Sequence, residues 1–215
     1  MEQIETEQTT SAFSIRPDVI YWFVVVVMLL IAGLAAFTML RAQPPAEGSP
    51  EVAFSRDMAA HHAQAVEMAL IIRDRSSDME LRQLALDIVL TQQEQIGQIQ
   101  GWLATWNRPF SGIQPPMNGQ GLMMGMADQS DVNALRTLPV DKAEVSFLQL
   151  MIRHHQGGIE MAQSVLERSP RSEVAHLAVA IVKGQQSEVM YMQTLLAKRG
   201  AAPLAPPMQM DHMYG

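Results

Sequence analysis

Two stretches of this sequence hold side chains that could do chemistry, and they hold the same ones. Residues 58–69 read MAAHHAQAVEMA, and residues 151–162 read MIRHHQGGIEMA. On an α-helix, residues three and four apart share a face. Met58, His61, His62, Ala65 and Met68 therefore fall within about 120° of one another, in the sector that also takes Phe54 and Ile72. Met151, His154, His155 and Met161 repeat the arrangement. Each copy places two imidazoles and two thioethers on the face that the apolar pattern turns inward. Glu67 and Glu160 fall on the far side and are not first-choice ligands.

Imidazole binds many metals, whereas thioether sulfur is soft and selects Cu(I) and, by the same softness, Ag(I). The bland alternative is a structural core in which methionine fills gaps and each histidine is hydrogen-bonded. Burying four imidazoles costs free energy unless each has a partner. Gln92, Gln95, Gln185 and Glu188, at helical spacing on the segments that follow, are the candidate partners.

A second set of thioethers lies outside the periodic segments. Met117, Met123, Met124 and Met126 sit in a long Gly/Pro-rich connection, and Met208, Met210, His212 and Met213 sit in the tail. With no core expected there, these groups suit capture and release of a soft ion, or adaptable contact with a partner. The chain has 17 methionines and no cysteine. That excludes thiolate sites and disulfides. It suits an oxidising compartment, since a thioether forms no disulfide, although it can be oxidised to the sulfoxide.

Other chemistries lack their residues. No Ser–His–Asp set, phosphate-cradling Gly-rich loop or HExxH stands out. Glu173-x-x-His176 has the spacing of a di-iron ligand pair, but the repeat counterpart of His176 is Gln83, and further inward carboxylates are missing. The residues thus predict a protein that is not an enzyme. A net charge of −7 without a basic stripe argues against nucleic acid as a partner.

The elements that must position these faces follow from the repeat. The ungapped shift that carries His61 to His154 also carries Phe54 to Phe147, Glu80 to Glu173, Leu84 to Leu177 and Gln92 to Gln185. This is a duplicated helical hairpin. Ser49-Pro50-Glu51 starts the first helix, expected over 50–75. Ser77 with Glu80 has capping-box spacing for the second, expected over 78–106. The connection 107–138 ends in a short helix near 131–138. The third helix is expected over 139–168, and the fourth from the Ser169-Pro170 start signal to Arg199, closed by Gly200. Four long helices, two tight hairpins and one long crossover predict an all-α four-helix bundle over 50–200, with a mobile tail over 201–215.

Upstream, residues 1–18 are polar and read as disordered. Residues 19–40 hold no charged side chain. At about 1.5 Å per residue they reach across a hydrocarbon core of roughly 30 Å, with Tyr21 and Trp22 as interfacial anchors. We read them as a single transmembrane helix rather than a cleaved leader, whose apolar core is usually about 7–15 residues. Residues 41–49 are a short linker. The reading places the bundle on the periplasmic or extracellular side of the cytoplasmic (inner) membrane.

At these residues the sequence resembles the bacterial domain-of-unknown-function 305 family. The carriers are Phe54, Asp57-Met58, His61-His62, Ala65 and Glu67-Met68-Ala69, then Phe147, Met151-Ile152, His154-His155, Ile159, Glu160-Met161-Ala162, Gln185 and Glu188, with Gly125-Met126 between the halves. The resemblance implies a ferritin-like helical bundle, usually exported, and some similar proteins bind copper or silver in metal tolerance. One position departs from the repeat: Gln95 stands where the second half has Glu188. The expectation is therefore a membrane-anchored protein that holds Cu(I) or Ag(I) for tolerance or trafficking and passes it to an envelope metal-handling partner. The alternative is a metal-free helical interaction module.

Overall fold

A computed structural model describes residues 16–168 and 171–207. The polar N-terminus before Arg16, the Ser169-Pro170 start signal and the tail residues Met208, Met210, His212 and Met213 lie outside the described residues. The chain divides into two compact units, residues 1–43 and 44–215.

Among its described residues the first unit is one helix, α1 (Pro17–Ala42), with Pro17 at its first turn. Its segment Asp18–Met39 is long and apolar enough to cross a membrane, and large side chains such as Tyr21, Trp22, Leu30 and Phe37 stay exposed along it.

The second unit is all helical, and no strand occurs among the described residues. Helix α2 (Pro50–Arg75) starts where Ser49 Oγ accepts the Val52 N–H at 3.4 Å. Helix α3 (Met79–Thr105) is capped by Asp78, whose Oδ1 accepts the Glu80 and Leu81 N–H groups at 2.8 and 3.3 Å. The cap is thus Asp78 and not the Ser77 of the expected capping box: a carboxylate one residue later reaches two orphan donors at once. Asp128 likewise caps α4 (Gln129–Thr137) through Ser130 N–H. Helix α5 (Val140–Glu167) follows Pro139, and α6 (Ser172–Lys198) ends at Gly200, whose φ of +68° favours glycine.

Two apolar clusters give the helix directions. One joins the start of α2 (Val52, Phe54, Met58) to the end of α3 (Ile99, Leu103), the end of α5 (Met161, Val165) and the start of α6 (Val174, Leu177). The other joins the opposite ends: Met68 and Ile72, Leu81 and Leu84, Phe147 and Met151, Met192 and Leu196. So α2 and α5 run antiparallel against each other, and each packs on the helix that follows it in the chain. This is the four-helix bundle that the duplication predicts.

At the second end an ion network closes the bundle. Arg199 donates to Glu144 Oε2 at 2.9 Å and pairs with Asp78 Oδ2 at 2.5 Å, while Ser76 Oγ donates to Glu144 Oε1 at 2.6 Å. Burial opposes the Asp78 charge, yet the Leu81 N–H and the Arg199 guanidinium together hold its carboxyl below the usual range.

The crossover between α3 and α4 is not the open loop its breakers suggest. It contains a single 3-10 turn (Pro116–Gly119) and is tied down along α2. Met117 N–H donates to Asp57 Oδ1 at 2.7 Å, and Gln64 both donates to Ala127 O (3.0 Å) and accepts from Ala127 N–H (2.8 Å). Its glycines permit close approach. A Cβ on Gly157 would collide with the Met124 carbonyl, and Gly125, at φ +84°, lies against the Arg153 carbonyl.

Candidate metal centre

The four histidines of the duplicated motif meet in the middle of the bundle. His61, His62, His154 and His155 are all fully buried. The rings of His61 on α2 and His154 on α5 lie face to face, with centroids 3.7 Å apart and planes inclined by 32°. Within each helix the neighbouring rings stand 6.4 Å (His61–His62) and 6.3 Å (His154–His155) apart. The antiparallel contact of α2 with α5 creates this grouping, because it places the middle of one motif against the middle of the other.

Two ring nitrogens have well-formed partners. His61 Nε2 donates to the Met124 carbonyl at 3.1 Å, and His155 Nε2 donates to Glu188 Oε2 at 2.6 Å. The Nδ1 atoms of all four rings, and Nε2 of His62 and His154, have no protein partner of good geometry. The buried amides of Gln92 and Gln185 are unpartnered as well. Each such atom costs about 1–3 kcal/mol if left so.

The surroundings keep His61, His62 and His154 neutral. Burial pushes the His61 pKa down to about 4, against the pull of the Met124 carbonyl. Burial and the neighbouring His61 push His62 to about 3, with the Gln95 carboxamide opposing the shift. Burial and the same neighbours hold His154 well below the ordinary histidine range. Neutral imidazoles with free lone pairs are the form in which histidine binds metals.

The thioethers divide by end. Met58 and Met161 lie in the apolar cluster at one end of the histidine group, and Met68 and Met151 in the cluster at the other. All four are buried. The donor types fit a soft ion. Nevertheless, no three His, Asp or Glu side chains among the described residues stand close enough together to hold a metal as they are.

The expectation for the crossover methionines needs correction. Met117 and Met124 are buried in the apolar cluster at the start of α2, and Met126 packs against it. They do fill a core, which the crossover itself extends. Met123 is partly exposed. Of the expected polar partners, Glu188 takes His155 and Gln95 approaches His62, whereas Gln92 and Gln185 bond to neither. The Met124 carbonyl was not legible as a partner, because nothing in a Gly/Met-rich stretch marks which backbone oxygen will face a ring. As expected, Glu67 faces away, paired with Arg136 at 2.8 Å. His176 is exposed.

The family model described as a domain of unknown function, DUF305, matches residues 51–196. Among solved structures, a DUF305 protein of Streptomyces coelicolor is 45% identical, with a TM-score of 0.70, over 74% of this chain and 99% of its own. A DUF305 fragment from Deinococcus radiodurans is 42% identical, with a TM-score of 0.66, over 72% and 99%. The Cu(II)-bound form of a protein called CopM is 27% identical, with a TM-score of 0.60, over 69% and 96%. No curated protein matches the chain.

Proposed function

The chain belongs to the DUF305 family, and we propose that this protein binds Cu(I) or Ag(I) in the middle of its bundle and buffers or passes on the ion. One observation carries the reading: four fully buried imidazoles meet with most of their nitrogens unpartnered, between two methionine-bearing clusters. Such a group is unfavourable when empty and becomes favourable when an ion accepts the lone pairs. The solved copper-bound forms of CopM, at 25% and 27% identity, support the same assignment. His61, His62, His154 and His155 would be the core donors. Met58, Met68, Met151 and Met161 would supply sulfur after small side-chain movements. Met123, partly exposed on the crossover, together with Met208, Met210, His212 and Met213 of the tail, would collect the ion outside.

In this reading α1 anchors the protein in the inner membrane with the bundle outside, where an envelope partner could take the metal. The protein does no catalysis of its own. The test is metal stoichiometry of the purified chain by elemental analysis after Cu(I) or Ag(I) loading under reducing conditions. Binding should fall sharply when His61 and His154 are both replaced by Leu. Unchanged stoichiometry and affinity would refute the bundle site.

A second reading has its own support. The absence of a ready cluster of three His, Asp or Glu among the described residues, and the packed crossover methionines, suit a metal-free interaction module. A ligand that binds the native state must stabilise it. A melting temperature indifferent to Cu(I) and Ag(I) would favour the module.

A further inference from the structure

The two well-formed hydrogen bonds of the centre decide which atom of each ring is free. A carbonyl oxygen only accepts, so His61 Nε2, at 3.1 Å from the Met124 carbonyl, must carry the proton. A carboxylate likewise accepts, so His155 Nε2, at 2.6 Å from Glu188 Oε2, carries one too. In the neutral ring the lone pair is then on Nδ1, and Nδ1 of both rings is buried without a partner. His62 and His154 have no such bond at either nitrogen and are free to take either tautomer.

The duplication is broken at this point. Glu188 on α6 corresponds to Gln95 on α3. Glu188 bonds a fully buried ring and is itself 23% exposed, so it links His155 to solvent. A carboxylate behind an imidazole fixes ring orientation and strengthens the opposite nitrogen as a donor. The Gln95 amide beside His62 carries no charge and makes no well-formed bond to it.

Resting on the metal-binding reading, we propose that the centre takes its ion through Nδ1 of His61 and His155, and that Glu188 is the positioning residue that makes the second-repeat half the stronger one. The two repeats are then unequal: α5 and α6 supply the tight half of the centre, and His62, backed only by an amide, is the weaker donor.

The experiment uses the full-length chain in detergent micelles, labelled with 15N at histidine. Without metal, His61 and His155 should show protonated Nε2 and bare Nδ1. Titration with Ag(I) should move the Nδ1 resonances of these two rings and leave their Nε2–H intact. E188Q should keep the helical circular dichroism and weaken Ag(I) binding by about 10–100-fold. Q95E placed in the E188Q background should recover part of that loss through His62, which a merely structural role for Glu188 does not predict. Silver bound through Nε2 of His155, or E188Q binding as tightly as the parent, would overturn this inference and leave metal binding standing. Absence of any silver binding, with the Nε2-protonated rings still observed, would remove the metal reading and this assignment with it.

Discussion

Lowering the pH from 8 to 5 should weaken the folded bundle by about 4 kcal/mol through His61 and His62 alone. In the native state the two pKa values lie at about 4 and about 3, because burial disfavours the charged ring. In the unfolded chain both return to about 6.5. Between those limits the unfolded state binds more protons, so stability is fully present above about 6.5 and falls with pH below it. The slope is about 1.36 kcal/mol per pH unit for each ring, which over 1.5 units gives about 2 kcal/mol each. His154, also held low, adds loss in the same direction. Asp57 works the other way, since burial raises its carboxyl and favours the native state as pH falls towards it. Asp78 is depressed and loses its contribution only nearer its own unfolded pKa of about 3.9. The window from pH 6.5 to 5 therefore carries the imidazole loss with Asp78 still ionised, and D57N measured alongside removes the opposing contribution of Asp57. Against a total of about 5–15 kcal/mol for a domain, the loss is large. The assay is urea unfolding of the unit from Pro44 onward, followed by circular dichroism at half-unit pH steps. A stability that stays flat to within about 1 kcal/mol across this window would show that the rings reach water or are already paired, and the argument for a buried donor set would fail.

Because His61 and His62 are already neutral in the fold, protonation of these two rings should cost Ag(I) no affinity between pH 8 and 5; a loss of about a hundredfold per pH unit below 6.5, seen by competition titration, would contradict their pKa assignments. Gly157→Ala should destabilise the bundle by roughly 1–3 kcal/mol in thermal melts, since its methyl meets the Met124 carbonyl; no loss would mean the crossover lifts freely. R199A leaves Glu144 and Asp78 without their shared cation and should lower stability by about 3 kcal/mol, read by urea unfolding; a loss within experimental error would show the network to be solvent-screened.

The sequence made the bundle legible because its signals are local and doubled. Ser49-Pro50, the apolar stripes and the 93-residue shift each constrain one helix without reference to the others. The inward direction of His61, His62, His154 and His155 follows from the same periodicity, and all four are buried. What periodicity cannot give is the meeting of two helices. The 3.7 Å stacking of His61 on His154 depends on the antiparallel contact of α2 with α5, a tertiary event. The crossover departs from its expected state for a related reason. Its Gly, Pro and Met content describes a chain without secondary structure, which is not the same as a chain without contacts. Gln64, Asp57 and the bare Cα of Gly157 hold it in place, and they lie at least 30 residues away in sequence from the atoms they meet.

That docking has a consequence for any ion reaching the centre. The segment that carries Met124 covers the rings and also supplies the carbonyl that fixes the His61 tautomer. Lifting it would uncover His61 and free Nε2 in the same motion, whereas on the opposite repeat Glu188 already joins His155 to solvent with the bundle closed. Access from the α6 side would begin at the partly exposed Glu188 carboxylate. Access beneath the crossover needs the Gln64, Asp57 and His61 hydrogen bonds to break together, at a net of about 0.5–1.5 kcal/mol for each neutral bond and more for the one to the carboxylate. Q64A, which removes both hydrogen bonds to Ala127 and loosens the crossover, should then leave the Ag(I) association rate measured by stopped flow nearly unchanged. A rate that rises severalfold would place the route under the crossover instead.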